Sequence, residues 1–227
     1  MPVYQLPYRN FVFPHPLLAE PSGVIAIGGD LDPMRVLLAY RFGIFPWYNE
    51  DEPPVWWFPN PRCVLFPDRL RVAKSMRPYF NQGKFKVTYD TAFERVIREC
   101  RTIDRPGQPG TWIHQEVVSA FKDLFRLGYA HSVEVWNDDG ILAGGLYGLS
   151  LGRIFFGESM FSHESNASKF GFISLVRKLE GEGIVLIDCQ QETPHLRSLG
   201  ADMIPGGVFY EYCWRNLHYP DNPGKWE

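Results

Sequence analysis

Ile184-Val185-Leu186-Ile187-Asp188-Cys189-Gln190 is a short apolar run that ends in three polar or reactive side chains. An unbroken apolar stretch of this length reads as a buried strand. Side chains alternate along a strand, which predicts Asp188 and Gln190 on one face. A carboxylate and an amide at the end of a buried strand cost desolvation unless both are hydrogen-bonded. The pair is therefore either a satisfied structural contact or a site.

Working outward, a helix is expected over residues 166–180, ahead of that strand. Before it, strands over 130–136, 141–149 and 153–160 form a meander, with Asp139-Gly140 as a hairpin turn. Further upstream, Phe93, Val96, Ile97 and Cys100 fall at helical spacing within 91–101, and a second helix spans 114–127 up to Gly128. A strand over 85–88, a short helix over 72–80, a Pro/Gly loop at 106–110 and a last helix over 194–199 complete the pattern. Helices, an antiparallel meander, a helix and a strand predict an α+β fold: a mixed sheet with helices on its faces.

Residues 1–67 have a different texture, rich in proline, glycine and aromatics. Only 33–42 looks helical there, with Asp32 as N-cap, Pro33 in the first turn and Gly43 at the end. The expected organisation is a small N-terminal domain over 1–67 and a larger domain over 68–227.

The 227 residues are 45% hydrophobic and 22% charged, ordinary for a globular chain with a real core. A net charge of −3 excludes a globally basic nucleic-acid binder, so any such contact needs a local patch. The stretch 69–86 supplies one: Arg69, Arg71, Lys74, Arg77, Lys84 and Lys86, with no acid among them. Arg71, Lys74 and Arg77 are spaced to align along a helix and could hold phosphates; a solvated charged face is the plainer alternative. Cys63, Cys100, Cys189 and Cys213 form no CxxC pair, which points to reduced thiols and a cytoplasmic setting. Prolines at 2, 7, 14 and 16 argue against a signal peptide. No apolar run approaches the ~20 residues that span a bilayer, so no membrane partner is expected.

Other segments carry chemistry in principle. Glu158 alternates with Phe156 and Met160, which would set an acid between two apolar groups on one strand face. Trp47 and Trp112 lie in loops, where aromatics clamp planar ligands; a lid over the core is the commoner role. Gly148-Leu149-Ser150-Leu151-Gly152 matches the nucleophile-elbow pattern, but a strand follows it where a helix is required, so Ser150 reads as part of a hairpin. His163-Glu164 lacks the second histidine of a zinc helix, and no metal spacing or dinucleotide motif is present.

Together these motifs resemble the leucyl/phenylalanyl-tRNA–protein transferase family of bacteria. The resemblance runs through Gly28-Gly29-Asp30-Leu31, Ala39-Tyr40-Arg41-Phe42-Gly43-Ile44-Phe45-Pro46-Trp47, Trp56-Trp57 and Gly110-Thr111-Trp112-Ile113. It continues in residues 130–136, Gly157-Glu158-Ser159-Met160-Phe161-Ser162, Asn166-Ala167-Ser168-Lys169 and Ile187-Asp188-Cys189-Gln190, and fades from His218. It implies a small N-terminal domain followed by an acetyltransferase-like (GNAT-like) catalytic domain. The implied enzyme is a cytoplasmic monomer without cofactor or metal. It moves leucine, phenylalanine or methionine from aminoacyl-tRNA to proteins with N-terminal Arg or Lys, marking them for N-end-rule degradation. Asp188 and Gln190 match the catalytic pair, Glu158 an acid that holds substrate, and Trp47 and Trp112 the aromatics around the terminal adenine. Leu146, Phe155, Met160 and Ile187 match the walls of the amino-acid pocket, with Leu146 where the family carries methionine. Arg71, Lys74, Arg77 and Lys84 lie in the stretch matched to the tRNA acceptor stem.

Transfer of this kind is aminolysis of an ester. It needs an oriented, neutral amine, and an α-amino group with pKa ~7.7–8.0 supplies one near neutrality. An amide is a very weak base, so Gln190 is expected to aim the amine, with Asp188 orienting it or stabilising developing charge; a proton relay through both is the alternative. Two competing functions fit parts of this pattern. An acetyl-CoA-dependent acyltransferase expects a pyrophosphate loop that opens a helix, and the nearest approach is Arg197-Ser198-Leu199-Gly200-Ala201-Asp202. A non-catalytic tRNA-binding module gives Asp188 and Gln190 no reason to share a strand face.

Overall fold

The computed structural model describes residues 3–104 and 111–226; the loop expected at 106–110 falls outside them. A four-stranded sheet forms first, from β1 (Tyr4–Leu6), β2 (Val24–Gly28), β3 (Phe45–Pro46) and β4 (Val55–Trp57), in the order β1-β2-β4-β3. Between β2 and β3 runs α1 (Pro33–Arg41). Asp32 caps it as the sequence predicts, accepting the Met34 N–H at 2.8 Å. Gly43 ends it at φ +76°, where a Cβ would meet the Phe209 ring at 2.4 Å. Buried Arg35 on α1 is satisfied by Asp30 and by the carbonyls of Pro7, Tyr8 and Asn10, which straps the N-terminal arm down.

The second sheet collects β5 (Arg62–Leu65), β6 (Lys86–Tyr89), β7 (Ala130–Trp136), β8 (Leu142–Leu151), β9 (Ile154–Ser162), β10 (Leu186–Gln190) and β11 (Asp202–Ile204). Its order is β11-β5-β10-β9-β8-β7-β6. Every pair is antiparallel except β9 with β10, which run parallel and are joined by the crossover helix α5 (Ala167–Gly181). The sheet is therefore mixed, as the sequence predicts. The change of sheet falls between Trp57 and Arg62, ahead of residue 67 where the texture shifts. All four residues of β5 are buried, and β5 pairs with β10 on one side and β11 on the other.

Two layers close the large sheet. On one face, α3 (Phe93–Thr102) and α4 (Gln115–Arg126) pack Val96, Phe121 and Leu124 against Tyr147, Leu149 and Phe156, in a core continuous with Tyr40 and Trp56. On the other face, α5 packs Phe172, Ile173 and Val176 against Val133, Leu146, Phe155 and Ile187. The helix expected over 72–80 is instead a 3-10 turn, Lys74–Met76, followed by α2 (Arg77–Asn81). Pro78 has no N–H to give and fits only a first turn, so the helix starts beside it and Arg71 lies outside. The chain ends with α6 (Pro194–Ser198), the edge strand β11, and α7 (Gly206–Asn216). The sequence signal for α7 is weak because it opens on two glycines.

Candidate active site

Two β-bulges make the site. On β9, Tyr147 faces Ser159 and Gly148 faces Gly157, so Glu158 is an extra residue. On β10, Asp188 faces Val64 and Gln190 faces Cys63, so Cys189 is extra. The parallel pairing of β9 with β10 runs through Asp188 opposite Phe156 and stops there. Beyond that point the strands part, and a cleft of about 1040 Å³ opens between them.

The bulges correct two expectations of strict alternation. Phe156 packs in the core under α3 and α4, whereas Met160 packs on the α5 side, so Glu158 is not flanked by both on one face. Asp188 and Gln190 do not share a face by simple period-two geometry either. Gln190 has φ +58°, a left-handed backbone unusual for a residue with a side chain. Two contacts hold it there: its N–H donates to Asp188 Oδ1 at 3.0 Å, and its Nε2 donates to Glu158 Oε1 at 3.1 Å. Strain fixed in this way is typical of a working site.

Asp188 is completely buried and held by Arg62, whose Nε and Nη2 donate to its two oxygens at 2.7 and 2.6 Å. The guanidinium is in turn enclosed by the rings of Phe209, Phe45 and Phe58, at 4.5, 4.8 and 5.9 Å. A carboxylate bound on both oxygens and by a backbone N–H is an anchor. Its Oδ1 holds the Gln190 backbone through the Gln190 N–H. The sequence gives no hint of Arg62 as its partner, 126 residues away.

Glu158 Oε1 also accepts the Tyr40 hydroxyl from α1 at 2.7 Å. Burial pushes the Glu158 carboxyl up to about 8, and the Asp188 charge adds to this, while the bonds from Tyr40 and Gln190 pull the other way. At neutral pH the group is therefore mostly a neutral acid. Burial, then the Glu158 charge, raises the Tyr40 phenol as well, so it stays a donor. Cys189 lies against Cys63 on β5; their mutual hydrogen bond lowers the Cys63 thiol and, with burial, raises Cys189.

Every cleft residue singled out from sequence lines this one cavity: Trp47, Trp112, Leu146, Phe155, Glu158, Met160, Ile187, Asp188 and Gln190. Phe172 from α5 joins the apolar wall, unmarked by any motif. Leu146, Phe155 and Ile187 are buried, Met160 half-buried. Trp47 and Trp112 are half-buried; Trp47 leans on Trp57, which donates its indole N–H to the Trp47 carbonyl at 2.6 Å. Arg71, Lys74, Arg77 and Lys84 are exposed, lie outside the cleft lining and form no ion pair among the described residues. Arg71 is tied near the cleft: its backbone N–H bonds Leu199 O just after α6, whose His195 and Leu196 line the cleft. Lys84 lies over the Tyr79 ring at 5.3 Å. Ser150 sits in β8 opposite Phe155, in the hairpin the sequence predicts. The segment 197–202 leads from α6 into β11 and opens no helix. Among the described residues no cluster of His, Cys, Asp or Glu is placed to hold a metal ion, and no helix is long and apolar enough to cross a membrane.

Residues 64–213 match the model of the leucyl/phenylalanyl-tRNA protein transferase family, and residues 29–60 match that family's N-terminal domain. The chain belongs to this family. A leucyl/phenylalanyl-tRNA–protein transferase of Anaeromyxobacter sp. (strain K) is 50% identical across 100% of this chain and 97% of its own. That of Myxococcus xanthus is 49% identical with the same coverage. Membership makes the chain an aminoacyl-tRNA-dependent transferase. The two family segments meet at the start of β5, the strand that carries Arg62. Solved structures overlap only partly. AAC(6')-Iy in complex with a CoA-linked bisubstrate analogue aligns at 10% identity and TM-score 0.33, over 62% of this chain and 93% of its own. A tandem GNAT protein of clavulanic acid biosynthesis aligns at 14% and 0.35, over 83% and 62%.

Proposed function

We propose that the cleft between β9 and β10 transfers leucine or phenylalanine, and by pocket chemistry methionine, from charged tRNA to the α-amine of an N-terminal Arg or Lys. The observation that carries this is the convergence on one cavity, at the parting of two strands, of the nine residues that the sequence and its family resemblance single out. The product is a protein marked for N-end-rule degradation, made in the cytoplasm by a monomer.

Trp47 and Trp112 hold the terminal adenine. Leu146, Phe155, Met160 and Ile187 take the amino-acid side chain, which an apolar pocket separates from its neighbours by only ~1–3 kcal/mol per methylene. The acceptor nitrogen attacks the ester carbonyl, the bond to the ribose oxygen breaks, and the amine proton ends on that oxygen. Gln190 accepts a hydrogen bond from the amine through its amide oxygen and aims it. Its Nε2 is already spent on Glu158, which fixes which end of the amide is free. Asp188, locked to Arg62, is a positioning residue for Gln190. Glu158 gives up its proton beside a cationic acceptor and holds it as a carboxylate. Arg71, Lys74, Arg77 and Lys84 meet the acceptor-stem phosphates.

The test is transfer of radiolabelled leucine from Leu-tRNA to a protein with N-terminal Arg, against one with N-terminal Ala. Transfer to Arg alone, lost in Gln190→Ala, is expected. Transfer to neither acceptor, or undiminished transfer in Gln190→Ala, removes the proposal.

A further inference from the structure

The last described residues lie against the back of the cleft wall. Trp226 stacks face to face on His131, with ring centroids 3.9 Å apart and planes 3° from parallel. Its backbone N–H donates to Asp90 Oδ2 at 2.7 Å, the oxygen that also meets His131 Nδ1 at 2.8 Å. Asp90 Oδ1 accepts the Ser132 N–H at 2.7 Å, so the buried carboxylate is bound on both oxygens. Indole and imidazole are thus fixed to one anchor, and the indole lies beside the Phe155 ring, with centroids 5.9 Å apart and planes tilted by 35°.

Phe155 has little freedom on its other sides. Its ring lies over Gly148, where a Cβ would meet it at 2.6 Å, and Gly148 is in register with His131. The ring is 1% exposed and lines the cleft. It therefore stands between the cleft in front and Trp226 behind. We infer that Trp226 is a specificity-determining residue: by backing Phe155 it sets the depth of the amino-acid pocket and hence which aminoacyl group is transferred. This rests on the reading of the Phe155 side of the cleft as that pocket.

The tail is also tied independently of Trp226. Asp221 accepts the Gly152 N–H at 3.0 Å and pairs with Arg41, and the Gly224 N–H bonds Gly128 O at 3.1 Å. Replacing the indole alone leaves the tail attached; it opens the space behind Phe155 and also uncovers His131 and removes the ring contacts to Tyr89 and Lys178.

The experiment compares kcat/KM for Phe-tRNA and Leu-tRNA in wild type, Trp226→Ala and Trp226→Phe, with circular dichroism confirming that each is folded. In Trp226→Ala the Phe155 ring swings back and the pocket deepens. The Phe:Leu ratio rises roughly three- to tenfold, less than the ~10–200-fold a whole methylene carries in a fixed pocket. Trp226→Phe returns the ratio towards wild type. A tail that only stabilised the fold would lower both activities together and leave the ratio alone. A folded Trp226→Ala enzyme with the wild-type ratio overturns the inference and leaves the transferase reading intact. Wild-type enzyme that transfers neither amino acid overturns that reading first. Should Trp226→Ala not fold, Trp226→Leu is measured in its place and must shift the ratio in the same direction; an unchanged ratio there overturns the inference equally.

Discussion

Arg62 and Asp188 form a two-pronged ion pair, at 2.7 and 2.6 Å, with neither side chain exposed. One lies at the start of β5 and the other where β10 leaves β9, so the pair ties β10 to its neighbour at the point where the cleft opens. Removing one partner strands a buried charge, which costs about 3–5 kcal/mol. Arg62→Met is expected to lose that much in urea unfolding and nearly all transfer. Arg62→Met combined with Asp188→Leu replaces the pair by apolar bulk and should recover most of the stability. It should not recover activity, because the Gln190 N–H has lost its acceptor. A double variant that regains transfer would show that the pair holds the fold and does nothing for Gln190.

Glu158 gives a pH signature. Its folded carboxyl titrates at about 8 against 4.5 unperturbed, chiefly through burial. The native state therefore keeps a proton that the unfolded chain has released. This contribution is fully present below about 4.5 and is lost as pH rises towards about 8. Glu158→Gln carries no such proton, so its stability relative to wild type should improve between pH 5 and 9. A constant difference across that range would mean that Glu158 ionises like an ordinary carboxyl. With a cationic acceptor the sign reverses: the charged carboxylate binds it, so acceptor KM falls as pH rises to 8 in wild type more than in Glu158→Gln.

Much of this site was legible because its residues announce themselves locally. Asp188 and Gln190 end an apolar run, Trp47 and Trp112 stand in loops, and the hairpin at Gly152 rules on Ser150. What stayed hidden depends on partners far along the chain. A bulge is a mismatch between two strands, so neither Glu158 nor Cys189 looks extra until β8 and β5 are aligned beside them. Alternation then gives the wrong face, as it does for Phe156 and Met160. Arg62 stands in a Trp/Pro-rich stretch with nothing to mark it as buried, and Tyr40 meets Glu158 across 118 residues. The basic stretch misled in the other direction. Its spacing suits a helix, but Pro78 starts that helix late and leaves Arg71 beside the loop after α6.

Trp47 and Trp112 should act on binding before chemistry. Stacking on a base is worth ~1–3 kcal/mol for each aromatic ring. Trp112→Ala is expected to raise KM for aminoacyl-tRNA roughly 5- to 150-fold with a smaller change in kcat, and Trp112→Phe to restore most of it. Trp47→Ala should do the same, with added loss of stability because Trp47 also packs on Trp57. Equal KM values in wild type and both alanine variants would take the adenine away from these rings.

The four basic residues make a prediction that separates phosphate contact from general charge. Arg71, Lys74, Arg77 and Lys84 are exposed and unpaired among the described residues, so their removal should cost little stability. Each phosphate contact releases counterions and adds about 0.9 to the slope of log affinity against log salt on a duplex, about 0.7 on a single strand. Replacing all four by Gln should flatten the slope for tRNA binding by roughly 3.6 if every one meets the duplex of the acceptor stem. Arg126 is the control: it is equally exposed but sits on α4, paired with Asp123 at 2.7 Å. Arg126→Gln should leave the slope unchanged. Titrations of tRNA at several salt concentrations decide it. If the fourfold variant keeps the wild-type slope, the patch is a solvated face. If single variants differ, those that flatten the slope are the phosphate contacts. Arg71 is expected among them, since its backbone bond to Leu199 places it next to the cleft rim.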